Sequence, residues 1–193
     1  MKSITVFCAS SPGKNAVYME QAYLVGKTLA QRRIRLVYGG ARVGLMGAVA
    51  DGALEAGGEV VGVLPGFLRS KEIAHLGLSK LVLVETMHER KTKMNDLSDG
   101  VIALPGGYGT LEELFEMITW AQLGLHRKPI ALLNTNGYYD QLIGLLQHMT
   151  DEGLLKTENQ RMLLEGAEIG ELLEKMGAYV PPLVGKWIAE DEV

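Results

Sequence analysis

The sequence predicts an α/β fold in which a doubly wound, mainly parallel sheet carries helices on both faces. Short runs of β-branched and other apolar residues alternate with longer segments of helical periodicity. Strands that alternate with helices form parallel sheets, whose ligands bind beyond the carboxyl ends of the strands. Four of the predicted strands end in Gly, Ser or Pro loops, which read SSPG, GGARVG, PG and PGGYG. The loops together therefore predict a ligand site at that edge of the sheet.

The first part of the chain is predicted to contribute four strands and two helices. Apolar, β-branched composition bounded by turn residues predicts the strands 3–9, 34–38, 59–64 and 81–85. Apolar residues at helical spacing predict helices over 15–31 and from about Gly44 to the Gly57-Gly58 pair. The stretch from Pro65 to Ser79 is long for a connection and is interpreted as a lid or a partner-facing excursion.

A further helix is predicted over the sequence TMHERKTKMNDL, residues 86–97. Thr86 and Glu89 have the spacing of a capping box at its start. Arg90 falls within the apolar stripe of this helix, and Lys91 lies beside it. An arginine in that position either extends its charged end to the surface or belongs to a functional site. Both interpretations stay open at this point.

A strand, a glycine loop and a helix start follow one another between residues 99 and 120. Glycines at 106, 107 and 109 precede a helical pattern with Leu111, Leu114, Phe115 and Ile118 on one side. The first N–H groups of a helix have no intrahelical partners, so this arrangement favours anion binding. Thr110 and Glu113 also fit a capping box, which would use the same donors. Anion binding is favoured, because a capping box requires neither Pro105 nor three glycines.

The C-terminal part is predicted to contain a strand at 130–133, a helix from about Gly137 to Gly153 and a short helix at 168–176. No chemistry is expected in the tail from Pro181. We find no linker, repeat or low-complexity block, so residues 1–193 are predicted to form one domain.

Composition limits the classes of partner. The net charge is −4 and no Lys/Arg run occurs, so nucleic acid is not an expected partner. No apolar stretch has the length of a membrane span or of a signal-peptide core, so no membrane partner is expected. The single cysteine, Cys8, fits a reducing compartment and is interpreted as a small buried hydrophobe. A cytoplasmic location is therefore expected.

Known motifs narrow the chemistry further. The glycines of GGARVGLMG do not fit the GxGxxG spacing, and no GxxxxGK[ST] sequence occurs. The four histidines have no paired spacing and there is one cysteine, so no zinc site is expected and no metal ligands are assigned; a metal would bind only through carboxylates. What remains is a mononucleotide or sugar-phosphate site with carboxylates, an arginine and a lysine.

Four motifs resemble the LOG (Lonely Guy) family of cytokinin riboside 5′-monophosphate phosphoribohydrolases. They are GGARVGLMG at 39–47, MHERK at 87–91, PGGYGTLEE at 105–113 and TWAQLG at 119–124, and the resemblance covers roughly residues 3–155. It implies a homodimeric, Rossmann-like enzyme that separates an N6-modified adenine from ribose 5-phosphate without a cofactor. Similar sequences carry the label "possible lysine decarboxylase", but no pyridoxal-phosphate lysine context is found here.

The resemblance also implies roles for individual residues. It places Arg90 and Glu113 in catalysis. A glutamate can stabilise the positive charge that develops on the ribose ring and can activate water. Arg90 can hold Glu113, a ribose hydroxyl or the phosphate. The residues implied to contact the nucleotide are Glu72, Lys91, Gly107, Tyr108, Gly109, Thr110, Leu111, Glu112 and Thr119.

Two other functions stay open from the sequence: an AMP nucleosidase and a nucleotide-binding carrier or sensor without turnover. Dimerisation is implied by the resemblance. Met117 and Trp120 are predicted to lie on the exposed side of their helix, where they would suit a dimer interface. Packing of these two residues within one subunit is the alternative.

Overall fold

Seven parallel strands form one sheet in the computed structural model, which describes residues 1–68 and 74–182. The strands are β1 (Ser3–Phe7), β2 (Arg35–Tyr38), β3 (Val60–Pro65), β4 (Lys80–Val84), β5 (Gly100–Ala103), β6 (Ile130–Leu133) and β7 (Leu163–Gly166). The helices are α1 (Val17–Gln31), α2 (Gly44–Glu55), α3 (Met87–Asp96), α4 (Tyr108–Gln122), α5 (Asp140–Asp151), α6 (Thr157–Gln160) and α7 (Ile169–Gly177). Two short 3-10 helices, Gly66–Leu68 and Thr135–Gly137, complete the described elements.

The strand order across the sheet is β4-β3-β2-β1-β5-β6-β7. The chain moves outward from β1 to β4 and then returns through α3 to β5, on the other side of β1. In this parallel pair Ile4 faces Gly100 and Phe7 faces Ala103. The direction of winding thus reverses between β1 and β5. At such a switch point the loops diverge and leave a crevice beyond the strand ends.

Two apolar layers cover the two faces of the sheet. Buried residues of α1, α2 and α7 pack on one face, and those of α3 and α4 pack on the other. Partly buried Leu142 and Ile143 of α5 join the second layer. Helices on both faces of an all-parallel sheet confirm the predicted fold class. The strands predicted from composition are all present, with ends that differ by one or two residues.

The sequence pattern did not predict β7 and α6, which consist of four residues each. The sequence of β7 is LLEG, which has neither β-branched residues nor alternation. Its position follows from parallel pairing with β6, in which Ile130 faces Leu163 and Leu133 faces Gly166. Pairing with a buried neighbour decides the conformation of so short a segment, and local propensity does not.

The helix starts differ from the predicted capping boxes. At α3 the Thr86 hydroxyl accepts the N–H of Glu89 at 3.1 Å, as predicted. The Glu89 carboxylate, however, accepts the N–H of Glu85 at 2.8 Å instead of the Thr86 N–H. Helix α4 begins at Tyr108 with Gly107 as its N-cap and has no side-chain cap. The capping box considered for Thr110 and Glu113 is therefore wrong.

The buried stripe of α4 consists of Thr110, Leu114, Met117 and Ala121. The expected exposure of Met117 is wrong, because only 1% of its surface is accessible and it packs in the core. Trp120 is partly buried against the same cluster. Phe115, predicted to lie on the inward side, is instead exposed. The face that α4 offers to solvent therefore differs from the predicted one.

The segment between β3 and β4 is described only in part. Residues 69–73, which include the implied nucleotide contact Glu72, lie outside the described residues. After them, Ala74 forms a bridge with Ala41, and the N–H of His75 donates to the Gly40 carbonyl at 3.0 Å. The His75 ring lies 2.8 Å from the Asp51 carboxylate on α2. The His75–Asp51 contact thus links the segment to α2 just before the chain enters β4.

Within the two described ranges, every helix is too short or too polar to cross a lipid bilayer.

His126 connects the loop after α4 to the C-terminal half of that helix. Its Nε2–H donates to the Met117 carbonyl at 3.0 Å, and its Nδ1 accepts the N–H of Lys128 at 3.2 Å. This pattern requires the neutral imidazole. Burial, which disfavours the charged form, lowers the pKa of His126 from 6.5 to about 4.

We expect the stability of the protein to fall as the pH decreases from neutral towards 4. Between the two pKa values of His126 the unfolded chain binds a proton that the folded protein does not, so acid favours unfolding. At pH 5.5 this group lowers the free energy of unfolding by about 1 kcal/mol relative to pH 7.5. Urea titrations of the wild type and of His126→Gln, which keeps one donor and one acceptor, test this. Identical pH dependence of the two proteins would contradict it.

Candidate active site

A cleft of about 420 Å³ opens at the switch point between β1 and β5. The four loops predicted to converge all contribute to its wall. Ser10 and Ser11 follow β1, Gly39 follows β2, Leu68 follows β3, and the glycine loop follows β5. The predicted location of the ligand site, beyond the carboxyl ends of the strands, therefore coincides with this cleft.

The glycine loop brings the N-terminus of α4 to the cleft. Gly107, Tyr108, Gly109 and Thr110 line the wall, and the first N–H groups of the helix have no intrahelical acceptors. A Cβ at Gly107 or at Gly109 would meet no described atom within 4 Å. The missing side chains thus leave open space beside the helix start. A helix N-terminus with open space before it suits a phosphate group.

Gly106 has a different role in the same loop. A Cβ at this position would lie 2.0 Å from the Thr110 hydroxyl oxygen, which is itself buried. Only glycine therefore allows the loop to turn against its own helix. The three glycines of the motif thus have two roles. Gly106 lets the loop pack against Thr110, and Gly107 and Gly109 leave the wall of the cleft open.

Arg90 extends from α3 into the interior, to a carbonyl of β3 and to one in the loop after β2. Its Nε donates to the Val63 carbonyl at 3.1 Å, and its Nη2 donates to the Gly39 carbonyl at 3.3 Å. Only 8% of the side chain is accessible. The charged end thus lies at the floor of the cleft, which contradicts the alternative in which Arg90 extends to the surface.

Gly39 provides the room that Arg90 needs. A Cβ at Gly39 would lie 2.1 Å from Nη2 of Arg90, far inside van der Waals contact. The second glycine loop of the sequence therefore serves the placement of the guanidinium group.

Glu113 projects from the first turns of α4 towards Arg90. Its Oε1 lies 3.7 Å from Nη1 of Arg90, and 12% of its side chain is accessible. This separation is an ion-pair distance and is longer than a direct hydrogen bond. Both side chains line the cleft, so the structure brings together the arginine and the carboxylate that the sequence singled out.

Cys8 lies next to this pair, directly after β1. Burial is the main cause that raises the pKa of its thiol, and the negative charge of Glu113 raises it further. The thiol therefore stays protonated at neutral pH. Cys8 is a small buried wall residue, as predicted.

Lys91 connects α3 to α4 at the rim of the cleft. Its ammonium group donates to Glu112 at 2.5 Å and to Glu116 at 2.9 Å. Burial by itself lowers the pKa of Lys91, but the hydrogen bonds to the two carboxylates outweigh it, so the net shift is upward. Lys91 is therefore a charged cross-link between two helices, and only Glu112 of this group lines the cleft.

The implied site residues thus fall into three groups. The residues that line the cleft are Arg90, Gly107, Tyr108, Gly109, Thr110, Glu112 and Glu113. Lys91, Leu111 and Thr119 are described but lie outside its lining. The Thr119 hydroxyl donates to the Phe115 carbonyl of its own helix at 2.7 Å. Glu72 falls among the residues that are not described.

Sequence reasoning missed the apolar part of the wall. Met46, Leu68, Met87 and Met94 line the cleft on the side of α2 and α3. In the sequence these residues look like ordinary apolar core residues, so no sequence signal distinguished them. Among the described residues, no three His, Cys, Asp or Glu side chains are grouped in the manner of metal ligands.

Comparisons with known proteins identify relatives of this chain. A family model described as "Possible lysine decarboxylase" matches residues 46–176. Cytokinin riboside 5′-monophosphate phosphoribohydrolase LOG5 of Arabidopsis thaliana is 44% identical over 197 residues, which are 100% of this chain and 86% of the relative. The cytokinin riboside 5′-monophosphate phosphoribohydrolase of Rhodococcoides fascians is 52% identical over 155 residues, 80% of this chain and 78% of the relative.

Solved structures show the same fold. An X-ray structure from a structural-genomics programme has a TM-score of 0.71 at 25% identity and covers 93% of this chain and 100% of its own. The molybdenum cofactor carrier protein of Chlamydomonas reinhardtii has a TM-score of 0.67 at 22% identity, over 92% of this chain and 98% of its own. At that identity the second match concerns the fold alone. With curated relatives at 44% and 52% identity over most of its length, the chain belongs to the LOG family of cytokinin riboside 5′-monophosphate phosphoribohydrolases.

Proposed function

We propose that this protein hydrolyses the N-glycosidic bond of N6-modified adenosine 5′-monophosphates and releases the free base and ribose 5-phosphate. The observation that carries the proposal is the pairing of Arg90 with Glu113 in a cleft that also contains the N-terminus of α4. A carboxylate and an anion site in one crevice fit a phosphorylated sugar whose glycosidic bond is to be broken. The names of the curated relatives describe this same activity.

The 5′-phosphate binds at the glycine loop in this proposal. Gly107, Gly109 and Thr110 line the cleft at the helix start, where free N–H groups and the helix dipole favour negative charge. The phosphate is remote from the bond that breaks. Its binding energy therefore serves to position the ribose against the catalytic pair.

Glu113 acts on the ribose and on the attacking water. As the bond between C1′ and the base nitrogen breaks, its electron pair goes to the base and positive charge develops on the ribose ring. The carboxylate stabilises this charge and accepts a proton from the water that adds to C1′. That proton then passes to the departing base, so water is consumed and the carboxylate is restored.

Arg90 orients Glu113 in this mechanism. The sequence left a ribose hydroxyl and the phosphate as other partners for Arg90. Two of its nitrogens are already committed to the Val63 and Gly39 carbonyls, and the third lies closest to Glu113. A guanidinium group that two backbone carbonyls hold in place gives the neighbouring carboxylate a fixed ion-pair partner and therefore a preferred direction.

The rim and the apolar wall complete the proposed substrate site. Tyr108, which is 94% exposed, and Glu112 lie at the mouth of the cleft, where a nucleotide enters. Lys91 holds Glu112 in place. Met87, which is partly exposed, and Leu68 offer an apolar surface to an alkyl group on N6 of adenine.

Product analysis tests the proposed reaction. The purified protein is incubated with N6-isopentenyladenosine 5′-monophosphate, with AMP and with the unphosphorylated riboside. We expect free base and ribose 5-phosphate from the alkylated nucleotide, slower release from AMP and none from the riboside. Equal or faster turnover of AMP would indicate an AMP nucleosidase. Nucleotide binding without release of base would indicate a carrier or sensor.

Replacing the carboxylate tests the role of Glu113. In Glu113→Gln we expect kcat to fall at least about 100-fold, because one preorganised charge at the reacting centre is lost. Glu116→Gln is the matched control: Glu116 lies on the same helix, pairs with Lys91 and stays outside the cleft lining. Its kcat is expected to remain within about twofold of the wild type. Near-normal turnover in Glu113→Gln would assign this carboxylate a structural role.

We also propose that the enzyme is a homodimer that associates through α4 and α5. These helices cover the same face of the sheet, and Phe115, Leu145 and Met149 are exposed there, the second by 51%. In α5, all of which is described, no side chain is fully buried. An apolar surface of this kind suits a partner of the same composition.

The position of Thr119 supports the same proposal. It lies on the exposed part of α4, nine residues or about 13 Å beyond Thr110 along the helix. In its own subunit Thr119 lies outside the lining of the cleft. If Thr119 contacts the nucleotide, as the family resemblance implies, it does so in the cleft of a partner subunit.

Sedimentation velocity tests the interface. We expect the wild type to sediment with the mass of two chains and Leu145→Asp to sediment as a monomer, because a charge placed in an apolar interface is costly. Leu24→Asp is the control, since Leu24 is an exposed leucine of α1, on the opposite face of the sheet. It should remain dimeric. A monomeric wild type, or a dimeric Leu145→Asp, would contradict the proposed interface.

The remaining expectations form part of the same proposal. We place the enzyme in the cytoplasm, because its single cysteine is a buried free thiol and needs no oxidising compartment. We treat residues 1–193 as one domain, and the two apolar layers on one sheet support this.

A further inference from the structure

We propose that Tyr138 is a positioning residue that sets the direction of a phosphate-binding N–H group in the glycine loop. The inference rests on the proposed function, in which this loop holds the 5′-phosphate. Tyr138 lies outside the cleft lining, in the turn between β6 and α5. Its hydroxyl donates to the carbonyl of Gly106 at 2.7 Å.

The geometry of the peptide bond links this contact to the cleft. In a trans peptide the carbonyl oxygen of one residue and the N–H of the next point in opposite directions. By holding the Gly106 carbonyl, Tyr138 fixes the Gly107 N–H on the side of the peptide that faces away from the tyrosine. Gly107 lines the cleft, so the direction of this donor decides whether it reaches a phosphate. Glycines on both sides of this peptide allow it to rotate when nothing holds it.

Tyr138 is itself held by neighbouring rings. It packs edge-to-face with Tyr18 of α1 at 5.8 Å between ring centroids and with Tyr139 at 5.0 Å. Tyr18 in turn packs against the position of Gly13, in the loop after β1. The hydroxyl therefore acts from a fixed support that joins the loops after β1, β5 and β6.

Tyr139 makes a similar bond with a different consequence. Its hydroxyl donates to the Leu104 carbonyl at 2.6 Å. Leu104 lies two residues before Gly106, the residue that Tyr138 contacts. The residue after Leu104 is Pro105, which has no N–H. Loss of this bond removes the hydrogen-bond donor of the buried Leu104 carbonyl, but it does not change the direction of any N–H group, since Pro105 has none. Tyr139 therefore stabilises the loop, whereas Tyr138 also orients a ligand contact, and the pair provides a matched comparison.

Calorimetric titration with ribose 5-phosphate and with adenosine separates the two roles. In Tyr138→Phe, which keeps the aromatic ring, we expect about tenfold weaker binding of ribose 5-phosphate and unchanged binding of adenosine. In Tyr139→Phe we expect a lower melting temperature, with both affinities within about twofold of the wild type.

The outcomes distinguish this inference from the proposed reaction. If the wild type binds ribose 5-phosphate but hydrolyses no nucleotide, while Tyr138→Phe loses the affinity, the positioning role stands and the reaction fails. If Tyr138→Phe binds ribose 5-phosphate like the wild type, or weakens both ligands equally, the positioning role is overturned. Failure of the wild type to bind ribose 5-phosphate overturns it as well, since the loop would then be no phosphate site.

Discussion

The architecture of the cleft depends on one buried positive charge. Transfer of a guanidinium group from water into a protein costs several kcal/mol unless charged and polar partners replace the lost hydration. Arg90 meets this requirement with two backbone carbonyls, those of Val63 in β3 and Gly39 after β2, and with the carboxylate of Glu113. Because these partners come from the loop after β2, from β3 and from α4, the charge constrains elements that are far apart in the sequence. It also explains why residue 39 is a glycine, since any side chain would occupy the space of the guanidinium group.

The sequence predicted the sheet and the place of the cleft, because both depend on local pattern. Apolar runs, helical spacing and strand-end glycines are properties of short segments. The sequence could not predict features that depend on packing. The conformation of β7 follows from its pairing with β6, and the carbonyl partners of Arg90 are brought together only by the fold. The orientation of α4 illustrates the limit. Its apolar residues extend more than halfway around the helix, so spacing alone could not decide whether Met117 or Phe115 faces the sheet.

The description of the matching family model and the names of the curated relatives point to different chemistries. A lysine that forms a Schiff base must be neutral in order to attack. Lys91, the lysine described beside the cleft, is held between Glu112 and Glu116 with a raised pKa, which favours its charged form. No described lysine lines the cleft itself. The arrangement of carboxylate, arginine and helix N-terminus instead corresponds to the chemistry that the relatives' names describe.

The pairing of β1 with β5 also bears on how the protein folds. Strands β1 to β4 pair with near neighbours in the chain, as do β5 to β7, but Ile4 and Gly100 are roughly a hundred residues apart. Contacts between distant residues form slowly, because a long loop must close first. During synthesis the first four strands leave the ribosome before β5 does, so the edge of β1 that pairs with β5 stays unpaired until the second half of the sheet has emerged. The cleft opens beside the β1–β5 pairing, which forms late. A nucleotide can therefore bind only after the two halves of the sheet have joined.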